Sequence, residues 1–480
     1  MTATAAAPSR PEASLLSAPE PPKYAPSPAG PVDTDTPIHL PPGSSRSRLR
    51  QTLAFATNPY NSALRDTAQY GEVWKMELLT RKDPFYASSH PDHIRSIFTA
   101  KPDDAPAINY ESPLKLWLGD NSVLMLVGPK HMRERKLLLP PFHGDAVARY
   151  IEMIKEVTAE EVDRWQQGST FALAPRMQAI TLEVIMRGVL GIEGLTSWRT
   201  PERRFREIIK HFLGLSTLRG YQLLELANSG NTEPKGPLKP MIGTIHSSLD
   251  AVIKARRAEG ENTGRNDVFS LLLAARDEDG QPLTDDELRD ELLTLILAGH
   301  ETTANSLAWT CERLMRNPRA YDRLREEVRA GTGEAYVEAT IHEGMRVRPV
   351  INFVARKIQR PWRFGEYVLP AGTGVALSIT GLHHRPDVYA QPHRFMPERF
   401  LDAEGKFVKP GTYTWIPFGG GIRRCLGATL AMAEQRVVLE EIARSVDLEA
   451  PDPEPERGRQ RNVTTIPIDG GRATIAQKLS

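Results

Sequence analysis

Apolar residues recur at intervals of three and four along most of the chain beyond residue 43, a spacing that predicts amphipathic helices. Short runs rich in β-branched residues, punctuated by Gly and Pro, predict a few strands between them. We expect helices at 86–99, 128–139, 145–166, 175–190, 201–214, 240–258, 266–277, 284–316, 319–329 and 334–347. Strands are expected near 72–78, 353–358, 366–369 and 373–378.

Strand and helix do not alternate along the chain as they do in a doubly wound sheet, and no internal repeat is present. The pattern predicts a mainly α fold with a small β portion, built as a single large helical domain over residues 44–480. Residues 1–43 hold 11 of the 39 prolines, with Ala and Ser between them. Such a segment has little to bury, so we expect a disordered tail.

Composition narrows the classes of function. The 480 residues carry a net charge of +1, so nothing global points to nucleic acid or to an acidic membrane surface. Two cysteines, Cys311 and Cys425, are too few for a disulfide framework, a cysteine-rich zinc site or an iron–sulfur cluster. No apolar run is long enough to span a bilayer, and the N-terminus lacks the features of a signal peptide. A cytoplasmic protein without integral membrane association is expected.

The longest predicted helix has an unusual centre. Thr284 and Glu287 form a capping-box start, and the apolar period continues to Arg316. In its middle lies "AGHETT", Ala298 to Thr303, where Gly299 costs roughly 1 kcal/mol relative to Ala. Thr side chains can also bond back to the carbonyls and bend the helix. Either something packs closely here, or Gly299 serves only the close packing of another helix.

The segment "FGGGIRRCLG", Phe418 to Gly427, places Cys425 in a glycine-rich turn. A buried cysteine is most often a small hydrophobe, and a phosphate-binding loop would need a spacing that this segment lacks. A helix predicted from Gly427 puts Cys425 at a helix N-terminus, which stabilises a thiolate. A lone thiolate on a loop of glycines that admits a planar group suits axial ligation of haem iron.

This segment resembles the haem-ligand loop of the cytochrome P450 family, F-G-x-G-x-R-x-C-x-G. The matching positions are Phe418, Gly419, Gly421, Arg423, Cys425 and Gly427. The resemblance implies the cytochrome P450 fold, haem b with Cys425 as the metal ligand, and Phe418, Gly419 and Gly427 against the cofactor.

Two further motifs stand in the order that the family shows. "HEGMR" supplies the E-x-x-R pair Glu343 and Arg346, and "FMPERF" supplies Arg399. An isolated i,i+3 pair is usually a solvated surface pair. The resemblance instead implies a buried ion network that supports the fold and the haem loop.

"AGHETT" is similar to the family's oxygen-activation segment, with the acid–alcohol pair at Glu301 and Thr302. Breaking an O–O bond on iron requires protons, which a carboxylate can relay and a hydroxyl can position. The alternative is a solvated Glu and a helix-bending Thr. His300 could be imagined as a second iron ligand, but it is adjacent to Glu301 and faces roughly 100° away, so we expect a packed histidine.

Haem propionates need cationic partners. "HMRER" resembles the H-x-x-x-R helix of bacterial members and gives His131 and Arg135, while Arg356 and Arg423 match further propionate positions. Three cations match no ligand position: Arg133, Lys136 and Arg424. They form either a basic proximal face for an acidic electron-transfer protein or an ordinary solvated surface.

The resemblance implies a monooxygenase that inserts one atom of O2 into a hydrophobic small molecule. Electrons would come from a ferredoxin and its reductase, and thus indirectly from NAD(P)H. A peroxide-driven enzyme and a non-catalytic haem sensor are the alternatives, and the Glu301–Thr302 pair counts against both. By position, Ala298 faces the haem, and the substrate pocket is lined by Leu297, Ala298, Val350, Ile351 and Phe353. The segments 102–122 and 205–240 should shape it.

Overall fold

The computed structural model describes residues 24–79, 81, 83–107, 114–142, 144–192, 200–216, 228, 233–260 and 264–479. Its α-helices are α1 (Arg48–Thr57), α2 (Pro59–Tyr70), α3 (Pro91–Phe98), α4 (Lys115–Leu118), α5 (Gly128–Leu138), α6 (Asp145–Ala148), α7 (Ile151–Val162), α8 (Leu173–Val184), α9 (Pro201–Ser216), α10 (Leu238–Glu259), α11 (Val268–Ala274), α12 (Asp285–Met315), α13 (Pro318–Ala330), α14 (Ala335–Val347), α15 (Ile379–His383) and α16 (Ala428–Ser445). A π-helical turn, Ile185–Val189, extends α8.

The strands are short and, within the described residues, form four small sheets. They are β1 (Ala29–Pro31), β2 (Val73–Met76), β3 (Phe85–Ser88), β4 (Thr170–Ala172), β5 (Phe353–Lys357), β6 (Trp362–Phe364), β7 (Tyr367–Leu369), β8 (Gly374–Ser378), β9 (Val446–Glu449), β10 (Gly458–Arg461), β11 (Thr464–Pro467) and β12 (Arg472–Lys478). The largest sheet has the order β2-β3-β8-β5, with β3 and β8 parallel. The predicted fold class, mainly α with a small β portion, is confirmed.

Helix α12 crosses the domain and organises its core. The predicted capping box is present: Thr284 Oγ1 accepts from Glu287 N (3.2 Å), and Glu287 Oε2 accepts from Thr284 N (2.8 Å). The helix ends at Arg316, since Pro318 begins α13. It packs against α8, α14 and α16. Because almost all of its second half is buried, α12 fixes the positions of the elements that surround it.

Two predicted helices are wrong in detail. The segment expected as one helix at 86–99 begins as strand β3, and the helix starts only at Pro91, which is suited to the first helical turn. The segment 145–166 divides into α6 and α7. Periodicity alone did not predict α1 and α2, whose break lies at Asn58, the cap that precedes Pro59.

The tail boundary expected at residue 43 is also wrong, because packing extends to Tyr24. Strand β1 pairs antiparallel with β6, and His39 forms a bridge with Val368. Tyr24 packs edge-on against His90, with ring centroids 5.4 Å apart. The rest of the predicted tail, residues 1–23, lies outside the described residues. Within the described part of the chain, no helix is both long and apolar enough to cross a membrane.

Candidate functional site

The cysteine loop connects a 3-10 turn, Gly421–Arg423, to helix α16. Cys425 N donates to Phe418 O (3.0 Å), and Arg424 N donates to Gly421 O (3.1 Å), so the loop closes on itself. Gly419 and Gly421 both have positive φ, +66° and +62°, a region that favours glycine. These glycines therefore serve the turn that presents Cys425.

Two of the loop glycines also have a packing role that the sequence did not reveal. A Cβ on Gly421 would lie 2.1 Å from the carbonyl oxygen of Phe98, and one on Gly420 would lie 2.2 Å from the Phe98 ring. Helix α3 thus ends directly against the loop. The expectation that all three glycines make room for a planar ligand is wrong for Gly420 and Gly421, which admit Phe98.

Cys425 is solvent-accessible, although enough protein surrounds its thiol to desolvate it. Burial raises the pKa of this thiol, against the lowering effects of the Gly427 amide and of the Arg424 and Arg135 charges. Accessibility together with desolvation means that the sulfur faces an internal space rather than bulk water. The helix terminus and the two arginines favour a thiolate, as predicted, but for the free thiol burial outweighs them.

Beside this space, α5, β5 and the cysteine loop bring together His131, Arg135, Arg356 and Arg423, the four predicted propionate partners. Their proximity is visible in the pKa values of His131 and Arg423, which the charges of the neighbouring arginines lower. Burial and the charges of Arg423, Arg135 and Arg356 lower the pKa of His131 to about 3. Burial and the charges of Arg356 and Arg135 lower the pKa of Arg423 to about 10. Burial alone lowers the pKa of Arg356 to about 10.

None of the three arginines pairs with a carboxylate in the part of the chain that the structure describes. Arg356 donates only to Ala355 O (2.9 Å), and Arg423 donates to the carbonyls of Val123 (3.1 Å) and Leu126. Buried like charges are costly unless an anion compensates them. A haem carries two carboxylates at one edge and an iron that binds a thiolate, so these residues fit haem.

The centre of α12 is more exposed than the rest of the helix around it. Ala298 is exposed and Thr302 half-buried, within a helix otherwise packed on most sides. A Cβ on Gly299 would lie 2.8 Å from Ile185 Cδ1, so the close-packing explanation of this glycine is correct. His300 is buried and its Nδ1 lies 2.9 Å from Ile296 O, which agrees with the packed histidine that we expected.

The acid–alcohol pair has partners that explain its placement. Thr302 Oγ1 donates to Ala298 O (2.6 Å), so the hydroxyl bonds back to the helix. Glu301 Oε1 accepts from Arg461 Nη2 (2.8 Å) and from Thr464 Oγ1 (2.7 Å). Arg461 and Thr464 flank the turn of the β10–β11 hairpin. Sequence reasoning missed both residues, since no local signal connects them to a helix 160 positions earlier.

The E-x-x-R pair belongs to a buried network, as predicted. Arg346 Nε lies 2.6 Å from Glu343 Oε2, and Arg399 Nε lies 3.0 Å from the same oxygen. Arg346 also donates to the carbonyls of His383 (2.7 Å) and Pro392 (2.8 Å). Because Glu343 and Arg346 are fully buried, this is not a solvated surface pair. The network fixes the segment that leads from β8 towards the cysteine loop.

The five predicted pocket residues do not form one group. Leu297 and Ala298 lie on the accessible part of α12. Val350 instead packs in a cluster with Tyr60 and Trp309. Phe353 packs beside Phe55, with ring centroids 5.9 Å apart, on one face of β5.

Side chains alternate along β5, so the residue that faces the cysteine loop is Val354 and not Phe353. A Cβ on Gly419 would lie 3.9 Å from Val354 Cγ1. Ile351 packs against the same cluster as Val354. Parts of the predicted pocket segments 102–122 and 205–240 lie outside the described residues, namely 108–113, 217–227 and 229–232.

The predicted basic proximal face is largely neutralised. Arg133 Nε lies 2.7 Å from Asp277 Oδ2, and Arg133 also pairs with Glu134 and Glu287. Lys136 Nζ lies 2.5 Å from Glu278 Oε1. Only Arg424 of the three predicted cations is exposed and without a carboxylate partner among the residues described. Of the two alternatives, the pairs at Arg133 and Lys136 therefore count against the basic proximal face.

Comparison with known proteins agrees with this site. The family described as Cytochrome P450 matches residues 41–470 of the chain. A protein of Mycobacterium tuberculosis named cytochrome P450 138 is 35% identical over 452 residues, covering 94% of this chain and 98% of the relative. Another, named cytochrome P450 135B1, from Mycobacterium bovis, is 36% identical over 445 residues and covers 91% of each chain.

Among solved structures, a retinoic acid-bound cyanobacterial protein, CYP120A1, has a TM-score of 0.74 at 22% identity. The match covers 92% of this chain and all of that one. A cytochrome P450 haem domain gives a TM-score of 0.73 at 21% identity. At these identities the structures establish the fold.

Proposed function

Because this chain belongs to the cytochrome P450 family, whose members are haem-thiolate monooxygenases, we propose that it oxygenates a hydrophobic small molecule with electrons from a separate ferredoxin-type donor. The product would be a hydroxylated or epoxidised compound. The observation that carries the proposal is a group of arginines beside the accessible Cys425, the buried Arg356 and the half-buried Arg135 and Arg423, none of which has a carboxylate partner among the described residues.

Cys425 would bind the haem iron through its sulfur, and His131, Arg135, Arg356 and Arg423 would hold the propionates. When bound, the haem supplies the oxygen-activating chemistry, which an electron-rich thiolate ligand promotes by favouring O–O cleavage. The loop holds the thiolate in place through the Cys425 N to Phe418 O bond. Phe418, Gly419 and Gly427 on the loop, and Ala298 on α12, would contact the ring.

Glu301 and Thr302 would deliver protons. The Thr302 hydroxyl is held by Ala298 O, yet it is half-buried and can exchange that bond for one to a water molecule. Among the described residues, the printed bonds of the Glu301 carboxylate are all made by Oε1, so Oε2 is available to accept a hydrogen bond from water. A carboxylate that is bound through one oxygen and lies next to an accessible hydroxyl supports a proton relay rather than a purely structural pair.

Substrate class follows from the lining. Leu297, Ala298 and Ile351 are apolar, and Val354 joins them at the cysteine loop. A hydrophobic compound would gain roughly 25 cal/mol for each Å² of apolar surface removed from water in such a pocket. Terpenoid, steroid, fatty acyl and polyketide compounds share this chemistry.

The electron donor would approach the side of the cysteine loop on which Arg424 is exposed. With Arg133 and Lys136 paired internally, the electrostatic attraction there depends on fewer charges than the sequence predicted. We therefore propose a ferredoxin-type donor whose association with this protein depends weakly on ionic strength, reduced in turn by an NAD(P)H-dependent reductase.

The test is turnover of the purified holoenzyme. Compounds are first screened for a spin-state shift of the ferric protein, and a responding compound is incubated with ferredoxin, reductase and NAD(P)H under oxygen. We expect an oxygenated product that requires all three and disappears in Cys425→Ser, with retained folding checked by circular dichroism. Product with peroxide but not with oxygen and electrons would favour the peroxide-driven alternative. A spin shift with no product under either condition would favour the sensor.

A further inference from the structure

Helix α1 has an outer face that nothing in the described structure covers. None of its ten residues is buried. Leu49 and Leu53, one turn apart, are each 53% exposed, and Leu79 is 56% exposed. Of the nine large apolar side chains that are exposed in the described residues, five lie between positions 38 and 79. Single exposed leucines are common on protein surfaces, but a concentration of them indicates an interaction surface.

Hydrogen bonds join Leu79 to this helix. Thr52 Oγ1 accepts from Leu79 N (2.9 Å), and Gln51 Oε1 accepts from Glu77 N (3.1 Å). These bonds are made by Gln51 and Thr52 on one face of α1. Leu49 and Leu53 lie on another face of the helix, where they are exposed. All three leucines are exposed, and hydrogen bonds hold the segment of Leu79 beside α1.

The charges that neighbour Leu49 and Leu53 in the sequence have one sign. Residues 36–65 contain no Asp or Glu, whereas Arg46, Arg48 and Arg50 precede or open α1. Arg46 and Arg50 are exposed, and neither forms an ion pair in the structure as described. The adjacent acids are engaged elsewhere: Asp66 lies 3.0 Å from Arg65, and Glu77 lies 3.5 Å from Lys75. The positive charge of Arg46 also favours the ionised form of Asp66.

We propose that the outer face of α1, formed by Arg46, Leu49, Arg50 and Leu53 together with Leu79, binds the surface of an anionic phospholipid bilayer. An amphipathic helix with leucines on one side and arginines beside them lies in the interface, with the leucines among the acyl chains and the arginines at the phosphates. A second copy of the chain fits less well, because self-association would place these arginines against each other.

The experiment is co-sedimentation of the full-length holoenzyme with vesicles of phosphatidylcholine containing 30% phosphatidylglycerol, about a third anionic lipid. We expect binding that is weak on pure phosphatidylcholine and that decreases as salt increases. Arg46→Gln with Arg50→Gln should lower the partition coefficient roughly 25-fold, about five-fold for each charge. Leu49→Ser with Leu53→Ser should abolish detectable binding.

Matched controls are Val408→Ser, at an exposed valine (48%) on another surface, and Arg149→Gln, at an exposed arginine after α6. Both should bind as the unmodified protein does, and unchanged haem absorbance will show that the α1 variants are folded. Removal of residues 1–23 should leave binding unchanged. The proposal is overturned if both α1 variants bind normally, if pure phosphatidylcholine binds equally well, or if binding requires residues 1–23. A leucine-dependent dimer in gel filtration without vesicle binding would overturn it as well.

Discussion

Arg461 Nη2 lies 2.8 Å from Glu301 Oε1, and this contact attaches the tip of the β10–β11 hairpin to the middle of the central helix. The acid proposed to relay protons is therefore held by a residue near the C-terminus. Thr464 binds the same oxygen at 2.7 Å. The position of the carboxylate thus depends on the hairpin as well as on α12.

Arg461→Gln should alter proton delivery without removing the acid. We expect a lower ratio of product formed to NAD(P)H consumed and a changed solvent isotope effect, because Glu301 loses its charged partner. Glu301→Gln should lower turnover by roughly 100-fold, a typical loss for a general acid or base. Arg457→Gln, at an exposed arginine just before the hairpin, is the control. Unchanged coupling in Arg461→Gln would show that the contact is only structural.

Glu343→Gln should destabilise the fold strongly. The substitution leaves the buried guanidinium groups of Arg346 and Arg399 without their carboxylate, and breaking a buried pair in this way costs about 3–5 kcal/mol. Glu152→Gln removes the exposed partner of Lys155 and should change the free energy of unfolding by less than about 0.5 kcal/mol. Urea denaturation measures both, and equal effects would contradict the role assigned to the network.

Arg356→Gln should weaken haem retention. A hydrogen bond to a charged group contributes about 1.5–3 kcal/mol, so haem transfer to an acceptor apoprotein should become about 10- to 100-fold faster. Arg360→Gln, at an exposed arginine just after β5, should leave the rate unchanged. If the two variants lose haem equally slowly, Arg356 is not a propionate partner.

Gly421 should not tolerate a side chain. Gly421→Ala introduces a Cβ 2.1 Å from a backbone oxygen of Phe98 at a positive φ, so we expect loss of haem incorporation. The control is Gly243→Ala in α10, where a Cβ meets nothing within 4 Å, and this variant should incorporate haem normally. The measurement is the ratio of haem to protein after purification. Equal ratios would contradict the packing role of Gly421.

Acid should release the N-terminal segment. His93 Nε2 and Nδ1 each lie 2.8 Å from a serine hydroxyl, of Ser27 and of Ser88. Burial and the charges of His90 and Arg385 lower the pKa of His93 to about 3. The stabilisation is therefore present above about pH 6.5, the ordinary pKa of histidine, and decreases towards pH 3.

Proteolysis near residues 24–31 measures this release and should accelerate between pH 7 and pH 5. Glu72 and Asp92, which lie near His90, oppose the effect by favouring its protonated form. A rate that does not change with pH would show that His93 does not hold the segment.

Local signals predicted much of the molecule. The capping box at Thr284 and Glu287 fixed the start of α12 to within one residue, and Pro318 marked its end. The cysteine loop and the E-x-x-R pair were found because their residue spacing is short. Helix α1 was missed, and none of its residues is buried in the core.

The contacts that sequence reasoning missed join distant segments. Phe98 against Gly421, Arg461 with Glu301 and Arg133 with Asp277 are all separated by more than 100 residues. A periodic pattern in the sequence carries no information about contacts between such distant segments. The arginine cluster was predictable only because the surrounding motifs resemble those of a known family. Taken alone, each arginine is most simply interpreted as an exposed surface residue.

The strand pairing has a consequence for how the molecule is made. Strand β1 cannot form its pairing until β6, more than 300 residues later, has been made. Strand β4 pairs with β12, which ends at Lys478. Pairings between such distant segments are slow to form, and their unpaired edges stay open until the partner is available. During synthesis β4 therefore remains an open edge until residues 472–474 of β12 have been made and can pair with it.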